Sequence, residues 1–325
     1  MLCSLFLYKG LKKKYSGARI TLVAAKTNYE IPFFEINPFI DRVIVFDKSS
    51  LAKIIGFLKA LWSRNYDLGV VPSTIVLSRT SHIINWLSGA KKRVGVKSID
   101  GKLNPSNKYL NVKTDFLWDG IHQSIRNLEI AQTAGCYLSP QELNSISFLF
   151  TTEEINFAKN YLNNNFSDSG KKVVGFHPGA GKTENIWSTE NFFNTITKLH
   201  KKYYCNILLT YGHVDEPIIN QLTNKLQSAE ISFTILPYTI PIKKQAAILS
   251  LVDLYVTNDT GAMHIAGYAG AKMISLFGPT DPREWAPTGN YQNHIKSLDG
   301  NINSISVQQV YSMAVDMLEK TKARE

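Results

Sequence analysis

Cysteine is scarce in this chain of 325 residues, with only Cys3, Cys136 and Cys205. An odd number, far apart and without metal-ligand spacing, excludes a disulfide framework and fits a reducing cytoplasm. No apolar run reaches the roughly 18 residues of a membrane span, so no transmembrane helix is expected. The opening stretch MLCSLFLYKGLKKK places its lysines after the apolar patch. That is the reverse of a secretory signal, and export is not expected. Several chemical signatures are missing as well. No G-x-G-x-x-G follows a strand and no G-x-x-x-x-G-K-[ST] occurs, against a dinucleotide oxidoreductase and against an NTPase. No D-x-D-like pair or His/Cys cluster offers a metal site, and no G-x-S-x-G elbow offers a serine nucleophile. Basic stripes interleaved with aromatics are lacking, so nucleic acid is not expected as a partner.

What is present suits two ordinary domains, at 44% apolar residues. The net charge of +10 is unevenly spread: residues 1–150 hold 20 Lys and Arg against 10 Asp and Glu, and residues 151–325 hold 16 of each. The excess therefore belongs to the first half. It reads either as a solvated lysine-rich surface or as a face for an anionic partner, a phosphorylated glycolipid or an acidic membrane.

Apolar periodicity alternates strand and helix along both halves. In the first, strands are expected over 19–24, 42–46, 67–71 and 93–96, and helices over 4–15, 28–36, 50–64, 80–87 and 121–134. Residues 100–115 and 135–151 show no regular pattern and read as loops. In the second, strands are expected over 173–177, 206–210, 233–236, 254–256 and 273–277. Helices are expected over 152–163, 188–203, 215–227, 243–251 and 262–271, with a last one from about Ser306 to Lys320. Such alternation implies α/β halves with parallel sheets, divided as 1–150 and 151–325.

Three loops of the second half each follow an expected strand: Pro178 to Lys182, Tyr211 to Glu216, and Asn258 to Gly261. In an open parallel sheet these gather at the carboxyl ends of the strands, where ligands bind. Glycines, hydroxyls, one lysine and acids suit a nucleoside diphosphate. Thr260 and Gly261 stand where a strand gives way to a helix, so main-chain N–H groups and the helix dipole favour phosphate there. Gly181 and Gly261 allow close backbone approach. Lys182 would neutralise the phosphate, and Asp215 or Glu216 would hold a ribose hydroxyl. Asp259 reads as a site residue or a helix cap, and His264 as a site residue or a buried core histidine. Trp187 and Trp285 read as packing.

The run N-D-T-G-A-M-H followed by L-F-G-P-T-D-P-x-x-W-x-P, from Asn258 to Pro287, resembles the signature of family 9 glycosyltransferases, the lipopolysaccharide heptosyltransferase family. His177 to Trp187, H-P-G-A-G-K-x-x-N-x-W, resembles the family's other motif. In several members the lysine stands two residues before the tryptophan, where this chain has Asn185. The resemblance implies the GT-B architecture, two Rossmann-like lobes with a cleft between them and a last helix packing toward the first lobe. It implies inverting transfer of a sugar, a heptose from ADP-heptose, onto a lipopolysaccharide core or related anionic glycan, without a required metal or other cofactor. Asp259 would orient the donor sugar. The setting implied is the cytoplasm, at the inner face of the inner membrane.

Family members open with an apolar strand ending in Gly-Asp, whose aspartate acts as general base. Here the match begins at the next helix, with Leu7 to Ala24 resembling L-x-x-x-x-P-x-A-x-I-T-x-L-V, and no Asp or Glu precedes Glu30. That strand and its acid are therefore expected to be missing from this sequence, and no residue is assigned as base. Two alternatives follow: a nucleotide-sugar or glycolipid-binding protein without transfer activity, and a GT-B-fold sugar epimerase.

Overall fold

The computed structural model describes residues 2–26, 37–144, 147–166, 170–289 and 291–320. It divides into two units, Met1–Ile146 and Ser147–Glu325.

In the first unit, β1 (Thr21–Ala25) pairs in parallel with β2 (Arg42–Phe46). A second sheet holds β3 (Leu68–Val70), β4 (Lys92–Ile99) and β6 (Val112–Phe116) in parallel, with the short β5 (Lys102–Leu103) turning back antiparallel on β4. Helices Leu5–Lys14, Leu51–Trp62, Arg79–Leu87 and Gln123–Gln132 fall where the periodicity puts them. The helix expected over 28–36 lies outside the described residues. Two expected loops contain regular structure: β5 and β6 lie in and just beyond 100–115, and a short helix, Pro140–Asn144, lies in 135–151. The physical reason is plain for β6. Its sequence, VKTDF, leaves its three middle residues exposed, so its ladder to β4 rather than an apolar pattern makes it a strand. Helix Leu51–Trp62 is capped by Ser50, which accepts from the Lys53 amide at 3.3 Å. It buries Phe57 and Leu61 and leaves Leu51, Ile55 and Trp62 exposed.

The second unit is one six-stranded parallel sheet, built from β7 (Val173–His177), β8 (Asn206–Thr210), β9 (Phe233–Leu236), β10 (Leu254–Asn258), β11 (Met273–Phe277) and β12 (Gln292–Lys296). The spatial order is β12-β11-β10-β7-β8-β9. Helices cover both faces. Thr189–Tyr203, Glu216–Ser228 and Val307–Glu319 pack over one core with Val174, Phe176 and Val256. Thr152–Asn165, Ile242–Leu251 and Gly261–Tyr268 pack over the other with Leu208, Tyr255 and Met273. Strands β10 and β11 are buried at every residue, as strands covered on both faces must be.

Strand β12 carries no expectation from sequence, because QNHIK has a single apolar residue; it joins the sheet's edge beside β11. The last helix begins in a capping box between Ser306 and Gln309. At its other end the Lys172 ammonium donates to the Leu318 carbonyl at 3.2 Å and that of Lys272 to the Lys320 carbonyl at 2.7 Å. Cations there suit the helix dipole. The order β10-β7-β8 is what positions the site. Three adjacent parallel strands release their loops side by side at one edge of the sheet.

Candidate functional site

The loop after the middle strand, Pro178 to Lys182, is held from both neighbouring strands. From β10, the buried Asn258 donates through its amide to the carbonyls of Pro178 at 2.9 Å and Gly179 at 3.2 Å. Its amide oxygen accepts from the Trp187 N–H at 3.3 Å, fixing the far end of the segment too. From beyond β8, the carboxyl of Asp215 fills the place a Cβ would take on Gly179, so only glycine fits. Asp215 Oδ2 accepts from the Gly212 amide at 2.8 Å and lies 3.6 Å from His177 Nε2. His177 Nδ1 is 2.9 Å from Thr210 Oγ1, which is 2.7 Å from the Tyr255 hydroxyl. This polar chain is buried. Burial pushes His177 down to about 4, opposed in part by the Asp215 charge. Burial likewise pushes the Tyr255 hydroxyl up.

Asp259 stands at the end of β10, half-buried, just before the helix Gly261–Tyr268. Its Oδ2 accepts from Thr280 Oγ1 at 2.6 Å and from Asn185 Nδ2 at 3.2 Å; its carbonyl also accepts from Asn185 Nδ2, at 3.3 Å. Burial raises its pKa above the ordinary carboxylate value, against the Thr280 hydrogen bond and the positive charge of Lys182. That charge ties the glycine loop electrostatically to the helix start. Thr260 adopts extended backbone at the cap and its side chain makes no capping bond, so it competes for none of the first-turn amides, of which that of Met263 donates to the Thr260 carbonyl at 3.1 Å. A Cβ on Gly261 would meet nothing within 4 Å. Packing within the protein therefore does not demand that glycine, and the approach to the amides is open.

Of the residues the sequence singles out, Gly181, Lys182 and Gly261 are exposed and Asp259 and Thr260 half-buried, on loops of the adjacent strands β7 and β10. His264 lies half-buried on the helix after Gly261, its ring 6.3 Å from that of Trp285. Glu216 is exposed beside His213, at 3.4 Å. Asp215 is buried, its carboxylate turned to Gly179 and His177 rather than outward. Trp187 is wholly buried, donating to the Ile305 carbonyl at 2.9 Å. Sequence reasoning gives no role to Asn185, Thr280, Asn258, Thr210 or Tyr255. Asn185, Asn258 and Thr280 carry a signal, by standing at motif positions; Thr210 and Tyr255 are pinned by partners from distant segments. Among the described residues no group of three or more His, Cys, Asp or Glu could hold a metal ion.

Chemically, the arrangement offers main-chain donors, one exposed ammonium and a half-buried acid around one sheet edge. That combination binds a polyanion and orients a neutral polar group beside it. Two α/β units, the second a doubly wound parallel sheet with its ligand edge so equipped, place the molecule among the GT-B glycosyltransferases. The chain belongs to glycosyltransferase family 9 (heptosyltransferase), whose family model matches residues 55–313.

It is similar to lipooligosaccharide heptosyltransferase 2 of Campylobacter jejuni, 25% identical over 156 residues, which are 48% of this chain and 49% of that protein. That match spans about half the length of the relative. Lipopolysaccharide heptosyltransferase 3 of Escherichia coli is 22% identical over 303 residues, covering 89% of this chain and 83% of its own. Among solved structures, E. coli ADP-heptose lps heptosyltransferase II matches with a TM-score of 0.79 at 20% identity, covering 98% of this chain and 95% of that one. This last likeness is one of fold.

Proposed function

We propose that this protein transfers a sugar, a heptose, from a nucleoside-diphosphate donor to a lipopolysaccharide core or related anionic glycan, inverting the anomeric centre. One observation carries the reading: Lys182 and the open helix start at Thr260–Gly261 stand on loops of adjacent parallel strands, and the Lys182 charge acts on Asp259 between them. As the acceptor hydroxyl attacks, the bond to the diphosphate breaks and negative charge grows on the leaving phosphate. Preorganised amides and an ammonium stabilise that charge, and no metal ion or other cofactor is required by the scheme. The carboxylate of Asp259, steadied by Thr280 and Asn185, orients the sugar, and Glu216 holds the ribose. ADP-heptose is the donor proposed, in keeping with the heptosyltransferase relatives.

The acceptor side of the reading rests on the first unit. Its excess of Lys and Arg suits an anionic glycolipid, and the exposed apolar residues of helix Leu51–Trp62 suit contact with the cytoplasmic face of the inner membrane. The direct test incubates the protein with ADP-heptose and a heptose-deficient core acceptor and follows the products by mass spectrometry. A glycan heavier by one heptose, with release of ADP, is expected. ADP binding with no glycan product would favour a binding protein, and conversion of the donor alone would favour an epimerase.

A further inference from the structure

Asp215 and Glu216 are neighbours in sequence, yet the fold uses them in opposite ways. Glu216 presents its carboxylate to solvent, whereas Asp215 is 4% exposed and faces inward. The inward carboxyl meets three groups: the Gly212 amide, the space over Gly179, and His177 Nε2. His177 is itself buried and continues the chain to Thr210 and Tyr255. We propose that Asp215 and His177 are positioning residues, a latch that fixes the glycine loop so that Lys182 faces the donor diphosphate. This deepens the donor-site reading and rests on it.

The hydrogen-bond inventory makes the latch specific. An ionised carboxylate only accepts, and a neutral imidazole has one N–H. Asp215 Oδ2 lies 3.6 Å from Nε2, beyond hydrogen-bond length, and its charge favours the imidazole proton on that side. Nδ1 then accepts from the Thr210 hydroxyl, whose oxygen accepts from Tyr255. The same Oδ2 accepts from the Gly212 amide, so an amide at position 215 keeps that bond only with its oxygen in the place of Oδ2. An asparagine so placed keeps both the acceptor for Gly212 and the fill over Gly179, and leaves the imidazole proton on Nε2. Alanine at 215 could do neither, leaving the Gly212 amide and the imidazole without their partner. Asn is therefore a rescuing substitution and Ala a disabling one. A carboxylate that supplied charge to the ligand would not be rescued by Asn.

The test uses the full chain with ADP as probe. Nitrogen NMR of the imidazoles, with His177 assigned through His177→Gln, reads the tautomer without any ligand. The expected result is Nε2–H both in the unsubstituted protein and in Asp215→Asn. Calorimetry reads the consequence: Asp215→Ala should weaken ADP binding by about tenfold or more, and Asp215→Asn should stay within about threefold of the original. An Nδ1–H imidazole in the unsubstituted protein, equal losses in Asn and Ala, or undiminished binding by Asp215→Ala would each overturn the latch. Failure of the unsubstituted protein to bind ADP would instead overturn the donor site, and the tautomer would still decide the pairing of Asp215 with His177.

Discussion

Lys182 and His177 stand five residues apart and show how one loop divides its labour. Lys182 is exposed, and among the described residues no carboxylate pairs with it, so its replacement should leave the fold intact. Lys182→Ala is expected to lower ADP affinity by about tenfold, the scale of one charge-assisted phosphate contact, with an unchanged melting temperature. Calorimetry beside thermal melting checks both parts. His177 is the opposite case, a buried base kept neutral. In the unfolded chain it takes a proton near 6.5, but in the folded protein only near 4. Between those pH values the unfolded state binds more protons, so stability contributed by neutral His177 is full above 6.5 and is lost as pH falls toward 4. Proton uptake by the unfolded chain in that window opposes folding. Melting temperatures from pH 7 down to 4.5 should therefore fall more steeply for the unsubstituted protein than for His177→Gln. Sequence alone offers Lys182, Asp259 and Gly261 through their places after strands. It cannot show that Asp215 turns inward, because adjacent acids look alike until packing assigns each side chain a direction.

Secondary-structure elements were legible where burial imposes a period and illegible where pairing does. Strands β7, β8 and β11 coincide with the expected runs because each is an apolar segment at the sheet's interior, and the edge strand β9 does so because FTIL is apolar along most of its length. Strands β6 and β12 are polar and mostly exposed, and a ladder on one side is what holds them straight. Helix ends follow local chemistry instead. Ser306 accepts from the Gln309 amide at 3.2 Å, and the Gln309 side chain accepts in return from the Ser306 amide at 2.8 Å. The helix they start lays Val310, Ala314, Met317 and Leu318 into the core of the second unit. Removing the hydroxyl in Ser306→Ala should cost about 1 kcal/mol, a fall in melting temperature of about 2–4 °C for a chain of this size. Differential scanning calorimetry would register it.

At the scale of the whole molecule, the charge excess and the exposed apolar residues of helix Leu51–Trp62 belong to the same unit. On that helix the side chains of Leu51, Ile55 and Trp62 lie within about 60° of one another around the axis, at 3.6 residues per turn. All three are exposed, Leu51 to 73%, and Lys59 is exposed on the flank of the stripe, whereas Lys53 lies on the far side and pairs with Asp47 at 2.8 Å. An apolar stripe beside cations is the composition that settles on an anionic bilayer, each lysine adding about 1 kcal/mol near the surface. The protein is expected to sediment with vesicles containing phosphatidylglycerol, less so in high salt, and poorly with pure phosphatidylcholine. The double substitution Leu51→Glu with Ile55→Glu should abolish that sedimentation while leaving ADP affinity unchanged. Among the described residues no helix is long and apolar enough to cross a membrane.

The order of amino acids by itself determined the α/β class, most strands and helices, the family motifs and which loops follow the strands of the second unit. Each of these is local, set by apolar period, turn residues and helix starts within a few positions of one another. Only the tertiary structure decided that β10, β7 and β8 lie side by side, that Asn185 and Thr280 hold Asp259, and that Asp215 locks Gly179 from beneath. Those facts join segments separated by 21 to 80 positions, from Thr280 with Asp259 to Leu254 with Val174. Distant side chains acquire defined neighbours only when strand pairing and core packing bring their backbones together.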